Sequence, residues 1–342
     1  MARVAKAAAA PRRGASGTPL IAQLFARLAD GNFHSGEELA RSLGVSRSAV
    51  WKAASELRER GATLHAVRNR GYRIPQRSDP LDALKIRERL GREVRDRIGY
   101  IENAWSIAST NSALLERASP SSGESEVLLA EYQSAGRGRR GRAWLAPPGG
   151  AVCLSLSWTF PEVPRDLGAL ALVIGVCALR ALGDHGLAGA RLKWPNDLLV
   201  GGRKLGGILI DLRAEAAGPA YVVIGIGLNV CLGATLLQKI SASGTEATDL
   251  ASAGISASRN ALAASLINAC IRGLIEFASE GLKPFIEEWR TADALRGRPV
   301  NVSAAEGMTR GLARGIDVHG ALVVETPQGL RRFISGDVTV RA

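Results

Sequence analysis

One stretch organises the rest of the chain: Glu131-Tyr-Gln-Ser-Ala-Gly-Arg-Gly-Arg-Arg-Gly-Arg-Ala-Trp144. It alternates four arginines with three glycines. Glycine lets a backbone approach a ligand closely, and the fork of arginine donors suits phosphates and carboxylates. Because like charges repel, the stretch predicts a loop that is loosely ordered until an anionic ligand folds it down. A solvated basic turn is the alternative, since short motifs match by chance.

The same glycines spell G-x-G-x-x-G, which is also typical of dinucleotide and kinase loops. A dinucleotide loop needs a strand before it and a helix after it. Residues 127–132 have strand character, but the two prolines between Trp144 and Gly150 prevent a helix from beginning there. A kinase would need His-Arg-Asp and Asp-Phe-Gly motifs downstream, and the sequence has neither. Both classes are therefore excluded.

Composition narrows the class of protein further. The 342 residues are 46% hydrophobic and suggest two or three domains. The four cysteines are scattered without a C-x-x-C pair, which predicts reduced core residues and a cytoplasmic protein. The longest apolar run, residues 167–179, is too short to span a membrane. Residues 1–18 lack a secretory apolar region and are interpreted as a disordered basic tail.

The N-terminal region has the pattern of a winged helix-turn-helix domain over residues 19–75. Apolar residues recur at helical spacing from Leu20, Ser35 and Ser46 are candidate helix caps, and residues 63–74 alternate like a β-hairpin. Residues 1–75 hold 13 Lys/Arg against 5 Asp/Glu, a net charge of +8 out of +12. This asymmetry favours DNA as a partner. A small helical domain for protein contacts is the alternative.

In a winged helix the third helix enters the major groove with its N-terminal residues near the bases. The predicted DNA contacts are therefore Arg47, Ser48 and Lys52 on that helix, with Trp51 beside them. Arg68, Arg70 and Arg73 in the wing would face phosphates.

Residues 76–80 form a polar, proline-flanked linker, and an α/β region follows it. Strand character appears in residues 127–132, 152–159, 192–200, 204–212 and 221–227, and helical character in residues 81–91, 167–182 and 260–280. Strands and helices do not alternate strictly, which favours a mixed α+β sheet. From residue 295 onward, short strands separated by glycines predict a small β domain.

Three further motifs accompany the arginine loop: Lys193-Trp-Pro-Asn-Asp197, Arg203-Lys-Leu-Gly-Gly-Ile-Leu-Ile210 and Ile224-Gly-Ile-Gly-Leu-Asn-Val230. In this order they resemble the biotin protein ligases, and the N-terminal region resembles that of their bifunctional ligase/repressor type. The resemblance covers nearly the whole chain from about Leu20. It implies a catalytic domain with the biotin–lipoate ligase (class II synthetase-like) fold over residues 81–292 and an SH3-like barrel over residues 293–342.

The resemblance also implies an activity and its partners. The enzyme would activate biotin with Mg²⁺ and ATP as biotinyl-5'-AMP, then transfer biotin to a lysine of the biotin carrier protein of acetyl-CoA carboxylase. It would also repress biotin genes at a DNA operator as a homodimer formed through the central domain. A ligand-sensing regulator without catalysis and a lipoate ligase are the alternatives.

Roles are carried over only where residues match. The implied biotin contacts are Ser109, Thr110, Asn111, Gln133, Gly136, Arg137, Gly138, Arg139, Lys204 and Gly207. The implied ATP or adenylate contacts are Arg140, Trp144, Lys193, Asn196, Gly225 and Asn229. Arg137, Arg139 and Lys204 would be catalytic, because cations offset the charge of a carboxylate that approaches a phosphate.

Some of these positions have a second interpretation. Asp197 is the candidate Mg²⁺ ligand, although Asn196-Asp197 could be a plain turn. Ser109 could be only a helix cap, and Ser112 stands where the family commonly has glutamine. Gly206, Gly207, Gly225 and Gly227 would leave room for the ligand to press on the backbone.

Overall fold

The computed structural model describes residues 18–75, 78–214, 218–305 and 307–340. Apart from Thr18, the basic tail expected over residues 1–18 lies outside the described residues. The fold is a multidomain α+β arrangement with a helical N-terminal part, a central mixed sheet and a C-terminal β domain. The predicted fold class is therefore confirmed, while the exact domain boundaries stay a prediction.

The N-terminal part consists of three helices and a two-stranded wing. The helices are α1 (Leu20–Leu28), α2 (Gly36–Leu43) and α3 (Arg47–Glu59), and the strands are β1 (His65–Val67) and β2 (Gly71–Arg73). Both predicted caps are confirmed, because the hydroxyls of Ser35 and Ser46 accept hydrogen bonds from the backbone N–H groups of Glu38 and Ala49. Gly44 ends α2 in the left-handed conformation, which makes the tight turn into α3.

The central sheet has seven strands in the order β3-β4-β5-β9-β8-β7-β6. They are β3 (Ile98–Ile107), β4 (Ser125–Gln133), β5 (Ala151–Phe160), β6 (Arg191–Lys193), β7 (Asp197–Val200), β8 (Arg203–Ala214) and β9 (Ala220–Asn229). Only the β3–β4 pair is parallel in the described sheet, so the predicted mixed sheet is confirmed. All ten residues of β5 are buried, including the polar Ser155, Ser157 and Thr159, because β5 lies between β4 and β9 inside the sheet.

Two expectations about strands need correction. Residues 192–200 are not one strand but the hairpin β6–β7, because Trp194-Pro195-Asn196 turns between them and proline cannot donate to a strand ladder. Strand β3 was not predicted from the sequence. It is only partly buried along most of its length and carries polar residues such as Glu102 and Asn103, so its apolar pattern is weak.

Several helices accompany the central sheet, and some of them pack against it. They are α4 (Ala83–Glu88), α5 (Arg92–Asp96), α6 (Thr110–Leu115), α7 (Leu170–Gly183), α8 (Ala234–Ala242), α9 (Arg259–Glu280) and α10 (Ile286–Ala292). Among the described residues, α9 is long and apolar enough to cross a membrane, judged by length and composition alone. Its apolar residues, such as Leu266 and Cys270, are buried in the main core together with those of α7, which is the position of a core helix.

The C-terminal domain is a five-stranded antiparallel sheet in the order β13-β12-β11-β10-β14. Its strands are β10 (Pro299–Ala304), β11 (Gly307–Ile316), β12 (Leu322–Thr326), β13 (Gly329–Phe333) and β14 (Asp337–Val340). The winged helix contacts the central sheet on another side. Phe25 lies 5.5 Å from Trp105 of β3 between ring centroids, and the Arg60 guanidinium lies 4.8 Å from the ring centroid of Tyr132 in β4.

Candidate active site

A cavity of about 900 Å³ opens between the arginine loop, the ends of the central strands and the C-terminal domain. The structure brings nearly all predicted ligand contacts to its wall: Ser109, Thr110, Asn111, Gln133, Arg137, Gly138, Arg139, Trp144, Lys193, Asn196, Asp197, Lys204, Gly207, Gly225 and Asn229. Gly136 and Arg140 are not part of this lining. The volume is that of a pocket for a ligand of drug size.

One end of the pocket is polar and almost dry. Thr110 and Asn111, at the start of α6, are each 4% exposed. The side-chain carbonyl of Gln133 accepts a hydrogen bond from the Thr110 backbone N–H at 2.8 Å. The Ser109 hydroxyl accepts a 3.4 Å hydrogen bond from the Ser112 N–H. Ser109 is therefore the N-cap of α6, which was the second interpretation of this residue from the sequence. Buried polar groups of this kind fix the orientation of a ligand.

The glycines of β9 make room for side chains rather than for a ligand alone. A Cβ atom on Gly225 would lie 2.3 Å from Oδ1 of Asn111, and one on Gly227 would lie 2.4 Å from Cε2 of Trp144. The expected contact of the ligand with the backbone at these glycines stays a prediction. The glycines seat Asn111 and Trp144, and those two side chains then line the pocket.

The charge of the arginine loop is offset by carboxylates of the protein itself. Arg137 donates a 2.8 Å hydrogen bond to Asp211 of β8. Arg140 and Arg142 both pair with Asp337 of β14. The sequence predicted that an anionic ligand neutralises the loop. The structure corrects this, because Asp211 and Asp337 already neutralise part of its charge. Arg140, expected near the adenylate, instead points to the C-terminal domain.

Arg139 differs from the other loop arginines. Among the described residues it has no carboxylate partner and makes only two long hydrogen bonds, to the Gly336 carbonyl at 3.3 Å and to Asn196 Oδ1 at 3.4 Å. Burial lowers the pKa of Arg139, and nearby Asp337 opposes that shift, but a guanidinium stays charged in proteins. A half-buried cation is therefore directed into the pocket without a strong partner.

Two lysines complete the cationic wall. The ammonium of Lys204 lies 2.6 Å from Asp197 Oδ1 and 5.9 Å from the centroid of the Trp144 ring. Lys193 lies nearby, and burial lowers the pKa of its ammonium while Asp197 partly opposes the shift. Together with Arg139, these groups would surround a bound anion with positive charge.

The predicted Mg²⁺ ligand does not form a metal site by itself. Asp197 is engaged by Lys204, and the Asn196 amide donates to the Ile208 carbonyl at 2.7 Å. The described residues contain no group of three His, Cys, Asp or Glu side chains that could hold a metal ion. These residues therefore do not fit a protein-held cation, and Mg²⁺ that accompanies ATP stays a prediction.

Comparisons with known proteins agree with this geometry. Residues 104–229 match the biotin/lipoate A/B protein ligase family, residues 21–73 a helix-turn-helix domain and residues 296–341 the C-terminal domain of biotin protein ligases. The chain is 38% identical to the bifunctional ligase/repressor BirA of Salmonella typhimurium over 93% of its own length and 97% of that protein. It belongs to the bifunctional biotin ligase/repressor family.

Further relatives support the same membership. The Escherichia coli ligase/repressor BirA is 36% identical over 94% of this chain and 97% of its own length. A biotin protein ligase from Aquifex aeolicus, solved with biotin and ATP, is 25% identical with a TM-score of 0.60 over 70% of this chain and 98% of its own. The family, the ligase fold and the helix-turn-helix domain inferred from the sequence are thereby confirmed.

The winged helix of this ligase/repressor carries an exposed polar face. Arg47, Ser48 and Lys52 are exposed along the first half of α3, and Trp51 between them is 60% exposed. In the wing, Arg68 is exposed, whereas the Arg70 guanidinium lies 4.2 Å from the centroid of the Phe33 ring. Arg73 lies over the same ring at 5.6 Å, and its Nε is buried without a hydrogen-bond partner. The contacts of the wing arginines with phosphates stay a prediction.

Sequence reasoning missed several polar residues around the site. Asp211, Asp337 and Ser155 contact predicted site residues, yet no motif singles them out. It also missed the buried ion pair between Glu131 and Arg259, which are 4% and 2% exposed. Glu131 opens the arginine stretch, so a charged residue at the end of an otherwise apolar strand was the available signal.

Proposed function

We propose that the central domain activates biotin with ATP and then transfers the biotinyl group to a lysine of a carrier protein. The observation that supports this most directly is Arg139, a half-buried loop guanidinium that has no carboxylate partner among the described residues and lines the same pocket as Lys193 and Lys204. Three cations in the wall of one pocket suit two anions that must approach each other.

In the first step, an oxygen of the biotin carboxylate attacks the α-phosphorus of ATP. A new P–O bond forms, the bond to the β-phosphate breaks, and pyrophosphate leaves with that electron pair. Arg139 and Lys204 offset the negative charge of the carboxylate and the α-phosphate, and Lys193 meets the remaining phosphates. The protein contributes mainly position and charge, since no general base is needed for a carboxylate nucleophile.

In the second step, the neutral amine of the carrier lysine attacks the carbonyl carbon of the mixed anhydride. The C–N bond forms, the C–O bond to AMP breaks, and the amine proton passes to solvent. Arg139 holds the AMP phosphate during this step, which lowers the negative charge on the leaving group. The carrier must therefore reach the open side of the pocket.

We assign the remaining contacts in the same way. The biotin ring lies against the polar end formed by Thr110, Asn111 and Gln133, and the adenine lies near Trp144 and Asn229. Arg137 acts by holding the loop to Asp211 rather than by touching the reacting atoms. This changes the catalytic role that the family resemblance implied for Arg137.

Pyrophosphate release by the purified protein, supplied with Mg²⁺, ATP and either biotin or lipoate, tests this proposal. Release with biotin and not with lipoate is expected. Release with lipoate alone would favour the lipoate ligase alternative. Binding of biotin without any release would favour a regulator that senses the ligand without catalysis.

We also propose that the protein represses biotin genes in the cytoplasm as a homodimer formed through the central domain. The exposed residues Arg47, Ser48 and Lys52 on α3 support an operator contact, because cations beside base-reading positions are typical of this domain. Sedimentation with biotin and ATP should show a dimer. A monomer that binds DNA equally well would contradict the dimer.

A further inference from the structure

Lys204 lies just outside the part of β8 that pairs with β9. That pairing begins two residues further along the chain, where Gly206 lies opposite Leu228. On the other side of β8, the register with β7 shifts between Leu198 and Leu199, so the ladder beside Lys204 is irregular. The neighbouring strands of the sheet therefore do not by themselves fix the backbone of this lysine.

A short segment takes the place of β9 beside this lysine. We call it the return segment, residues 246–251, because it brings the chain back to the sheet after α8. The Lys204 N–H donates to the Glu246 carbonyl at 2.7 Å, and the Lys204 carbonyl accepts a hydrogen bond from the Thr248 N–H at 2.9 Å. The return segment thus holds both polar groups of the Lys204 backbone, and the position of the lysine follows that of the segment.

The return segment also holds Asn229, the residue assigned to the adenine. The Asn229 side-chain amide donates to the Thr248 carbonyl at 2.9 Å. The Asn229 backbone carbonyl accepts a hydrogen bond from the Leu250 N–H at 3.1 Å. One segment therefore fixes two residues that line the pocket at different places, a cation for the reacting groups and a contact for the base.

A buried carboxylate fixes the return segment itself. Asp249 is 2% exposed, and its two oxygens accept hydrogen bonds from the Leu232 and Ser252 N–H groups, each at 2.7 Å. Leu232 precedes α8 and Ser252 follows the return segment, so the carboxylate joins the two ends of this part of the chain. Every residue of α8 is at least partly exposed, so the packing of that helix contributes little to the same purpose.

We propose that Asp249 is a positioning residue for adenylate formation, and that it acts through the return segment on Lys204 and Asn229. This rests on the proposed biotin activation and deepens it. Asp249 is not part of the pocket lining, so its carboxylate reaches the reaction only through backbone hydrogen bonds. A misplacement of about 1 Å can lower the rate of a reaction about 100-fold, so loss of these bonds should slow the enzyme.

Asp249→Asn tests the proposal, because the amide has the shape of the carboxylate but turns its NH₂ toward one of the two N–H donors. Pyrophosphate release with biotin, Mg²⁺ and ATP is measured per biotin-binding site, which calorimetry counts on the full-length protein. We expect kcat to fall about 10- to 100-fold. The KM for ATP should rise because Asn229 moves as well, whereas the KM for biotin should stay the same.

A double-mutant cycle separates positioning from a general loss of structure. In a Lys204→Ala background there is no lysine left to misplace. Asp249→Asn should then lower kcat only about threefold or less, through Asn229 alone. The inference is overturned by equal factors in the two backgrounds, or by an unchanged kcat in Asp249→Asn that binds biotin.

Asp79→Asn is the matched control. Asp79 also accepts hydrogen bonds from two backbone N–H groups, those of Arg259 and Asn260, but it does so at the start of α9. Its kcat per binding site should equal that of the wild type, and a fall as large as that in Asp249→Asn would overturn the inference.

A second variant guards against a failure to fold. If Asp249→Asn does not bind biotin, Asp249→Ser, which keeps one short acceptor, takes its place in the cycle under the same criteria. Absence of pyrophosphate release by the wild type would instead overturn the proposed function.

Discussion

Arg140 of the catalytic loop donates a 3.1 Å hydrogen bond to Asp337 of the C-terminal domain, 197 residues away in the chain. Arg142 pairs with the same carboxylate. The C-terminal domain thus contributes directly to the position of the loop that carries Arg139. We therefore expect the small β domain to influence catalysis through the position of this loop.

Replacing Asp337 by asparagine should therefore weaken ATP use without unfolding the protein. Both ion pairs are partly exposed, and such pairs contribute about 1 kcal/mol or less. We expect the KM for ATP in pyrophosphate release to rise by about 3- to 10-fold, with biotin affinity unchanged. Glu325→Gln, which removes the partner of Arg314 on the same domain, is the control. A similar rise in both variants would contradict a specific role for Asp337.

The buried pair of Glu131 and Arg259 should dominate stability near the domain linker. Glu131 accepts hydrogen bonds from the Leu81 and Gly149 backbones, and Arg259 donates to the Ala151 and Asp79 carbonyls. Removing one partner of a buried ion pair leaves the other charge buried without a partner, which destabilises the fold by about 3–5 kcal/mol. Glu131→Ala should lose that much free energy of unfolding, measured by denaturant titration.

Two further variants test whether the loss in Glu131→Ala comes from the burial of the ion pair and from its backbone hydrogen bonds. Arg180→Ala breaks an exposed pair with Glu288 and should cost less than about 1 kcal/mol. The double variant Glu131→Leu with Arg259→Met should recover only part of the loss, because the backbone groups remain without partners. Complete recovery would mean that those backbone bonds contribute nothing.

The pKa of Asp293 predicts an unusual pH dependence of stability. Burial raises the pKa of this carboxyl from 3.8 to about 6, and the Leu295 N–H only partly opposes the shift. The folded state therefore binds the proton more tightly than the unfolded state. The stabilisation from this group is complete below about pH 4 and is lost as the pH rises through about 6.

Asp293→Asn should consequently be more stable than the wild type at pH 8, by about 1–3 kcal/mol, and nearly equal to it at pH 4. The exposed Asp184→Asn should show no such trend. Thermal unfolding of the three proteins at both pH values measures this. A constant difference between Asp293→Asn and the wild type across pH would show that the carboxyl does not titrate as described.

Two exposed side chains on α3, Lys52 and Trp51, are expected to make different kinds of DNA contact. Lys52 is charged and lies further along α3 than Arg47 and Ser48, so we expect it to reach a phosphate beside the bases. Lys52→Ala should then reduce the slope of log affinity against log salt by about one. Trp51 is uncharged and 60% exposed, and an indole can contact base edges or methyl groups. Trp51→Ala should weaken binding to duplexes selected from a random pool and leave the slope unchanged. A changed slope in Trp51→Ala would contradict its base contact.

Local patterns explain why much of the fold was predictable. Serine caps and apolar spacing located α1 to α3, and the mostly apolar sequence of β5 indicated a strand. The hairpin at residues 191–200 was missed because the apolar residues at both ends of the segment indicated one continuous strand, although Pro195 lies between them. Proline in a strand pattern should have predicted the turn.

The site was only partly predictable for a different reason. Thr110, Arg139 and Lys204 lie in motifs, and they do meet in one pocket. Asp211 and Asp337 find their arginine partners 74 and 197 residues away, and such pairings depend on tertiary folding. The sequence therefore indicated which cations matter but not which of them the protein itself neutralises.

If the proposed function is right, this pocket makes a biotinyl adenylate, and Arg139, the loop arginine without a carboxylate partner among the described residues, is its principal loop cation. Native mass spectrometry of the protein mixed with biotin, Mg²⁺ and ATP tests it directly. The wild type should retain a ligand with the combined mass of biotin and AMP after loss of water. Arg139→Ala should form it about 100- to 1,000-fold more slowly, as when one preorganised donor is removed. Unreacted biotin and ATP bound side by side in the wild type would show that the pocket does not make the adenylate.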